Sequence, residues 1–175
     1  EKPDRVGPLL EEALAAVRGL DFSTARTRLQ QVLEEDPDNS VALKQLFFLE
    51  AQDPGASDLS RLASRTLRAL LRDGEPQEEV QRIYAAYCHQ NPSVHLEPEL
   101  AVRLAGLLLN ADRTDLGEPL LARALKSSVP LQDAPSVLLR YGRHYRENGR
   151  QRKSRACFRA LVKRFPESPE AQMIK

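Results

Sequence analysis

Residues 134–169 read APSVLLRYGRHYRENGRQRKSRACFRALVKRFPESP, a pattern that leaves little choice but a helical hairpin. Leu138, Tyr141, Gly142 and Tyr145 recur at the spacing of one helix stripe. Asn148-Gly149 interrupts, and Ser154, Phe158, Leu161 and Phe165 form a second stripe that Pro166 ends. Large apolar, small, aromatic, small, aromatic and proline thus fall in that order on Leu138, Gly142, Tyr145, Ser154, Phe158 and Pro166.

The rest of the chain has the same texture. Gly7-Pro8 opens a first helix with stripes Leu9, Ala13, Ala16 and Leu10, Leu14, Val17. Asp21 or Ser23 caps a second, with Ala25, Leu29, Val32 and Leu33, which Asp36-Pro37 stops. Asn39 or Ser40 caps a third through Ala51, broken by Asp53-Pro54-Gly55. A fourth runs from about Ser57 to Arg72, and a fifth from Pro76 to Gln90. Asn91–Pro98 reads as a loop. Two further helices, about Glu97–Asn110 and Asp115–Ser127, precede the hairpin already described. Leu, Ala, Arg and Glu abound, Trp is absent and β-branched clusters are rare, so the expected class is all-α.

Leu9, Ala13, Ala16, Ala25, Leu29 and Pro37 lie at the same intervals as the six residues of the last hairpin, and Ala105, Gly117, Leu121 and Ala124 fall at similar ones. This order resembles the tetratricopeptide repeat, whose unit is about 34 residues. The resemblance covers residues 6–39 and 135–168 best. It implies a right-handed superhelix of antiparallel helix hairpins, an α-solenoid of about nine or ten helices, that binds a protein or peptide in its concave groove. Ala25 to Ser154 spans 129 residues, about 3.8 such periods, so one helix must fall out of step. The fifth is the simplest choice, with a register break near residues 73–97. The expectation is one domain, 1–175, with sub-blocks 6–75 and 97–175 joined by helix 76–90. It reads as an excised part of a larger, bacterial protein.

No apolar run approaches the roughly 18–20 residues that cross a bilayer. Cys88 and Cys157 lie far apart on apolar stripes and are expected to be buried, reduced thiols. The compartment stays open, with the cytoplasm slightly favoured. The three histidines lack metal-ligand spacing, and Cys88-His89 cannot form a dyad, because adjacent helical residues point about 100° apart. No catalytic, cofactor or metal residue is assigned, and an enzyme is not expected.

Charge is the strongest local signal. Residues 1–60 hold 12 acids and 6 bases, a balance of −6, whereas 131–175 hold 4 and 11, a balance of +7. Arg140 to Arg164 contains ten bases against the single acid Glu147. Such a run can be merely a solvated face, or can hold an acidic protein through arginine forks. Nucleic acid or anionic lipid is the weaker alternative. In the resembled family the first helix of each hairpin lines the groove, and the matching residues are Ser136, Leu139, Arg143 and Arg146. The family's clamp for a chaperone's terminal carboxylate is not carried over, since Leu10 and Leu14 stand at its first two positions. The residues singled out for partner binding are therefore Arg140, Arg143 and Arg146 with Leu139, and Leu10, Leu14 and Phe48 as apolar contacts. The main reading is an adaptor for an acidic protein or peptide. The alternative is a self-association module that joins unlike ends, although a mostly monomeric chain is expected, and an anion-binding module for RNA or membrane headgroups comes third.

Overall fold

A computed structural model describes residues 5–52, 59–90 and 96–174. Among these residues there are ten helices and no strand. They divide into two compact units, 1–95 and 96–175.

The first unit holds α1 (Val6–Arg18), α2 (Phe22–Glu35), α3 (Ser40–Ala51), α4 (Leu59–Asp73) and α5 (Gln77–Gln90). α1 and α2 form a tight hairpin, α3 packs on α2, and α5 packs on α4 and α3. Ala13, Ala25, Leu29, Val32, Ala42, Leu46 and Leu49 are its buried cluster, with Leu10 and Val17 laid against it. Two of the expected caps are in place. Asp21 accepts from the Thr24 amide at 3.2 Å, and Asn39 from the Ala42 amide at 3.0 Å, each satisfying an orphan donor of a first turn. The break at 53–55, the start at Ser57 and residues 91–95 of the expected loop lie outside the described residues.

The second unit holds α6 (Pro98–Asn110), α7 (Thr114–Ala124), α8 (Ala134–Glu147), α9 (Gln151–Arg164) and the short α10 (Pro169–Gln172). α6 pairs with α7 and α8 with α9, while α8 also packs along α6 and α10 rests on α8 and α9. Pro98, read as loop, is the first residue of α6, where its missing N–H costs nothing. α7 stops at Ala124 rather than near Ser127. Lys126 and Ser127 bond back to Arg123 and Ala124, the three-residue turns that tighten and end a helix.

Three hairpins share one frame. Small residues face each other across each hairpin: Ala13 and Ala25, Ala105 and Gly117, Gly142 and Ser154, all buried. Ser154 Oγ donates to the Gly142 carbonyl at 2.8 Å. A Cβ on Gly142 would stand 2.3 Å from the Phe158 ring, so glycine is what lets that ring close the hairpin. Seven residues after the first small position, each hairpin turns through one left-handed residue, Leu20, Asp112 or Gly149. In each turn the following amide reaches back five residues, Asp21 to Ala16, Arg113 to Leu108 and Arg150 to Tyr145. These bonds satisfy carbonyls that the helix end leaves open.

Leucine is an odd occupant of such a turn. At φ 60° and 73% exposed, Leu20 meets the Cβ clash that glycine avoids and buries little in return. Leu20→Gly is expected to stabilise the fold by about 1 kcal/mol, raising the melting midpoint by roughly 2–4 °C. Gly149→Ala, at φ 71° with open space around it, should lower the midpoint by a similar amount. Thermal unfolding followed by circular dichroism measures both.

Candidate partner-binding surface

The basic run does not act as a block, because the fold assigns its members different tasks. Arg140 donates to the Gly106 carbonyl at 3.2 Å and to Asn110, tying α8 to α6. Lys153 reaches Glu118 of α7 at 2.7 Å, and Arg164 donates to the Ser127 carbonyl. Arg146 lies over the Phe158 ring, 5.9 Å from its centroid. Arg143, Arg152, Arg155, Arg159 and Lys163 are exposed, and have no ion-pair or hydrogen-bond partner among the described residues.

The equivalence of the hairpins says which face of α8 carries Arg143 and Arg146. The matching positions of α6 are Gly106 and Leu109, and Leu139 matches Val102. Those α6 residues are buried, Val102 at 0% and Leu109 at 8% exposure, and a Cβ on Gly106 would sit 3.2 Å from Val137 and 3.4 Å from Arg140 of α8. In α1 the matching residues are Leu10, Leu14 and Val17, of which Leu10 and Val17 pack on the cluster that includes Ala42, Leu46 and Leu49 of α3. This is a stacking face. On α8 its inner residue, Leu139, is buried at 6%, while Arg143 and Arg146 turn it into an open, cationic surface.

The apolar candidates of the first unit separate in the same way. Leu10 is half-buried and committed to the core cluster, and Leu14 is half-buried outside it. Phe48, also half-buried, meets the edge of Phe47 at 5.7 Å and lies under the Arg82 guanidinium at 5.0 Å.

One polar network was not legible in advance. Glu118 accepts from the Tyr145 hydroxyl at 2.6 Å and from Lys153, whose ammonium also lies 5.4 Å from the Tyr145 ring centroid. Burial works to raise the Glu118 pKa. The hydrogen bonds from Lys153 and Tyr145 and the charges of Lys153 and Arg150 outweigh it, and hold the carboxyl below its ordinary value. Burial and the Glu118 hydrogen bond push the Tyr145 hydroxyl upward, so it stays a donor. Cys88 and Cys157 are free thiols, half-buried rather than fully buried. Desolvation raises both, Cys157 to about 11, so neither is a thiolate near neutrality. Among the described residues no three His, Cys, Asp or Glu side chains are grouped to hold a metal ion, and no helix is long and apolar enough to cross a membrane.

The tetratricopeptide repeat family matches residues 102–169, from the second turn of α6 to the start of α10. That segment, residues 102–169, is similar to tetratricopeptide repeats. Two solved structures are similar at low identity. One is the MamA protein, at 13% identity and TM-score 0.40 over 90% of each chain. The other is a thermophilic TPR protein of Thermus thermophilus, at 16% and 0.38, over 97% of this chain and 96% of that one. No curated protein matches in sequence. Tetratricopeptide repeats generally mediate protein–protein interaction and are typically non-enzymatic scaffolds.

A carboxylate whose pKa is depressed by folding contributes stability above its unfolded pKa, and that contribution is lost as pH falls through the folded value. Glu118→Gln should therefore lower the melting midpoint at neutral pH, and the gap from the wild type should close between about pH 5 and pH 3. A gap that persists in acid would assign the role of Glu118 to packing.

Proposed function

We propose that this chain is a protein-interaction module that receives an acidic segment of a partner on the open face of α8, with Arg143 and Arg146 as the recognition residues. The observation that carries this reading is the change of character along one face. Gly106 and Leu109 make the face a buried helix seat on α6, and Arg143 and Arg146 make it a solvated, positively charged seat on α8. A helix arriving there finds Leu139 at its edge and two guanidiniums to satisfy, and arginine forks hold carboxylates in pairs of bonds. Arg146 is already oriented by Phe158, which lowers the entropy lost on pairing. Arg140 supports the seat by fixing α8 to Gly106 and Asn110. Of the first unit's apolar candidates, Leu14 and Phe48 are half-buried and Leu10 packs on the core cluster.

The test is affinity capture from native lysate with the wild type and with Arg143→Glu/Arg146→Glu. Proteins retained by the wild type are expected to be lost by the double variant at an unchanged melting midpoint, because both side chains are exposed. Retention of the same set by both proteins would return the arginines to an ordinary solvated face.

The −6 and +7 balances of residues 1–60 and 131–175 favour one second reading, self-association of unlike ends. Exposed pairs contribute only about 0–1 kcal/mol each and are screened within about 8–10 Å, so the expected state is mainly monomer. Sedimentation velocity at about 50 mM and 500 mM salt checks this, since charge-driven assembly fades with salt whereas an apolar interface survives it.

A further inference from the structure

The helices α7 and α9 are held apart. Leu121 and Ala122 of α7, with Leu125 just past its end, face Ala156, Cys157 and Ala160 of α9 across a cleft of about 180 Å³, with Tyr141 and Tyr145 also in its lining. The Glu118–Lys153 ion pair bridges the two walls. Ala122 on one wall and Ala156 and Ala160 on the other add little bulk to the space between them. The volume is below the ~300 Å³ at which small-molecule and cofactor sites begin, and suits a single large side chain. The Cys157 thiol is protonated and behaves as part of the apolar wall.

The second observation is charge. Arg152, Arg155, Arg159 and Lys163 stand exposed along α9, and none has a partner among the described residues. Arg152 and Arg159 are helical neighbours of Ala156, and Lys163 of Ala160, so this strip borders the cleft. Arg152, Arg155 and Arg159 share a surface depression with Ala156, which also lines the cleft. An apolar slot beside four unmatched cations fits an occupant with acids flanking one apolar side chain. The cations repeat at helical spacing over about 16 Å, three turns at 1.5 Å per residue, and carboxylates on a second helix repeat at the same rise. Nucleic acid would satisfy the cations but has no side chain for the slot, and the two tyrosine rings are too buried to stack on bases.

We propose that the α7–α9 cleft and the cationic strip of α9 form a docking site for an acidic amphipathic helix of a partner protein. The helix inserts one large apolar side chain between α7 and α9 and sets its carboxylates against Arg152, Arg155, Arg159 and Lys163. This site is separate from the open face of α8, where Arg146 overlies Phe158, and it stands or falls without that reading.

The probe is a fluorescein-labelled synthetic helical peptide with leucines on one stripe and glutamates beside them, titrated against the full chain by anisotropy. Ala122→Glu, at an exposed position that spares the fold, and Arg155→Glu/Arg159→Glu should each weaken binding roughly ten- to a hundredfold, as should replacing the peptide's leucines by alanine. Bound peptide should also slow alkylation of Cys157 by iodoacetamide, with Cys88 as the internal reference. Four results would overturn the proposal: no binding, unchanged Cys157 alkylation, loss of binding in Arg143→Glu/Arg146→Glu but not in Ala122→Glu, or displacement of the peptide by a single-stranded RNA that Ala122→Glu still binds.

Discussion

The second unit depends on one close approach. The Tyr141 hydroxyl of α8 donates to the Ala105 carbonyl of α6 at 2.8 Å, and does so in the space where a side chain on Gly117 of α7 would begin, 2.0 Å from the Cβ position. Three helices therefore meet at one phenol, and the missing Cβ admits it. Burial raises the Tyr141 pKa well above that of a free phenol, so the group is a permanent donor. The adjacent hairpin repeats the device with Phe158 over Gly142. Overpacking a site of this kind costs about 1–3 kcal/mol, a large share of the roughly 5–15 kcal/mol that holds a domain folded. Two small residues thereby fix how α6, α7, α8 and α9 pack, and with that the surfaces available to partners.

Those surfaces follow from what packing leaves over. Because α8 lies along α6, the face of α6 bearing Gly106 and Leu109 is filled, and the same face of α8 can carry arginine without burying charge. α7 buries Gly117, Leu120, Leu121 and Ala124 and α9 buries Ser154 and Leu161, while Ala122, Ala156 and Ala160 line a slot between the two helices. Arg140 and Lys153 are drawn into bonds between helices and Arg164 into one with the Ser127 carbonyl beyond α7, whereas Arg143, Arg152, Arg155, Arg159 and Lys163 have no ion-pair or hydrogen-bond partner among the described residues.

Much of this was legible in sequence, and the reason is local. Asp21 and Asn39 cap helices through bonds to amides three residues on, so short-range chemistry announces them. Gly142, Ser154 and Phe158 meet inside one hairpin, where spacing alone brings them together. Leu20 and Asp112 hid the left-handed turns that Gly149 advertised, because neither residue type marks such a turn as glycine does. The tasks of the basic side chains were not readable either. Whether Arg140 pairs or stands free depends on Gly106 and Asn110, 34 and 30 residues away, and whether Ala156 faces solvent or a cleft depends on where α7 sits. Leu139, singled out as a surface contact, is held inside by the packing of α8, a placement that its spacing beside Arg143 does not reveal.

The most direct test of this architecture is a double-mutant cycle on the central contact, using Gly117→Ala, Tyr141→Phe and the two together, with stability read from denaturant unfolding. Tyr141→Phe removes the oxygen that a Cβ at residue 117 would strike, while the Ala105 carbonyl keeps its helix bond. Gly117→Ala should therefore be destabilising in the wild type and much milder beside Phe, with a coupling energy of about 1–3 kcal/mol. Additive effects, within about 0.5 kcal/mol, would contradict the claim that α6, α7 and α8 close on the Tyr141 hydroxyl through the space that glycine leaves.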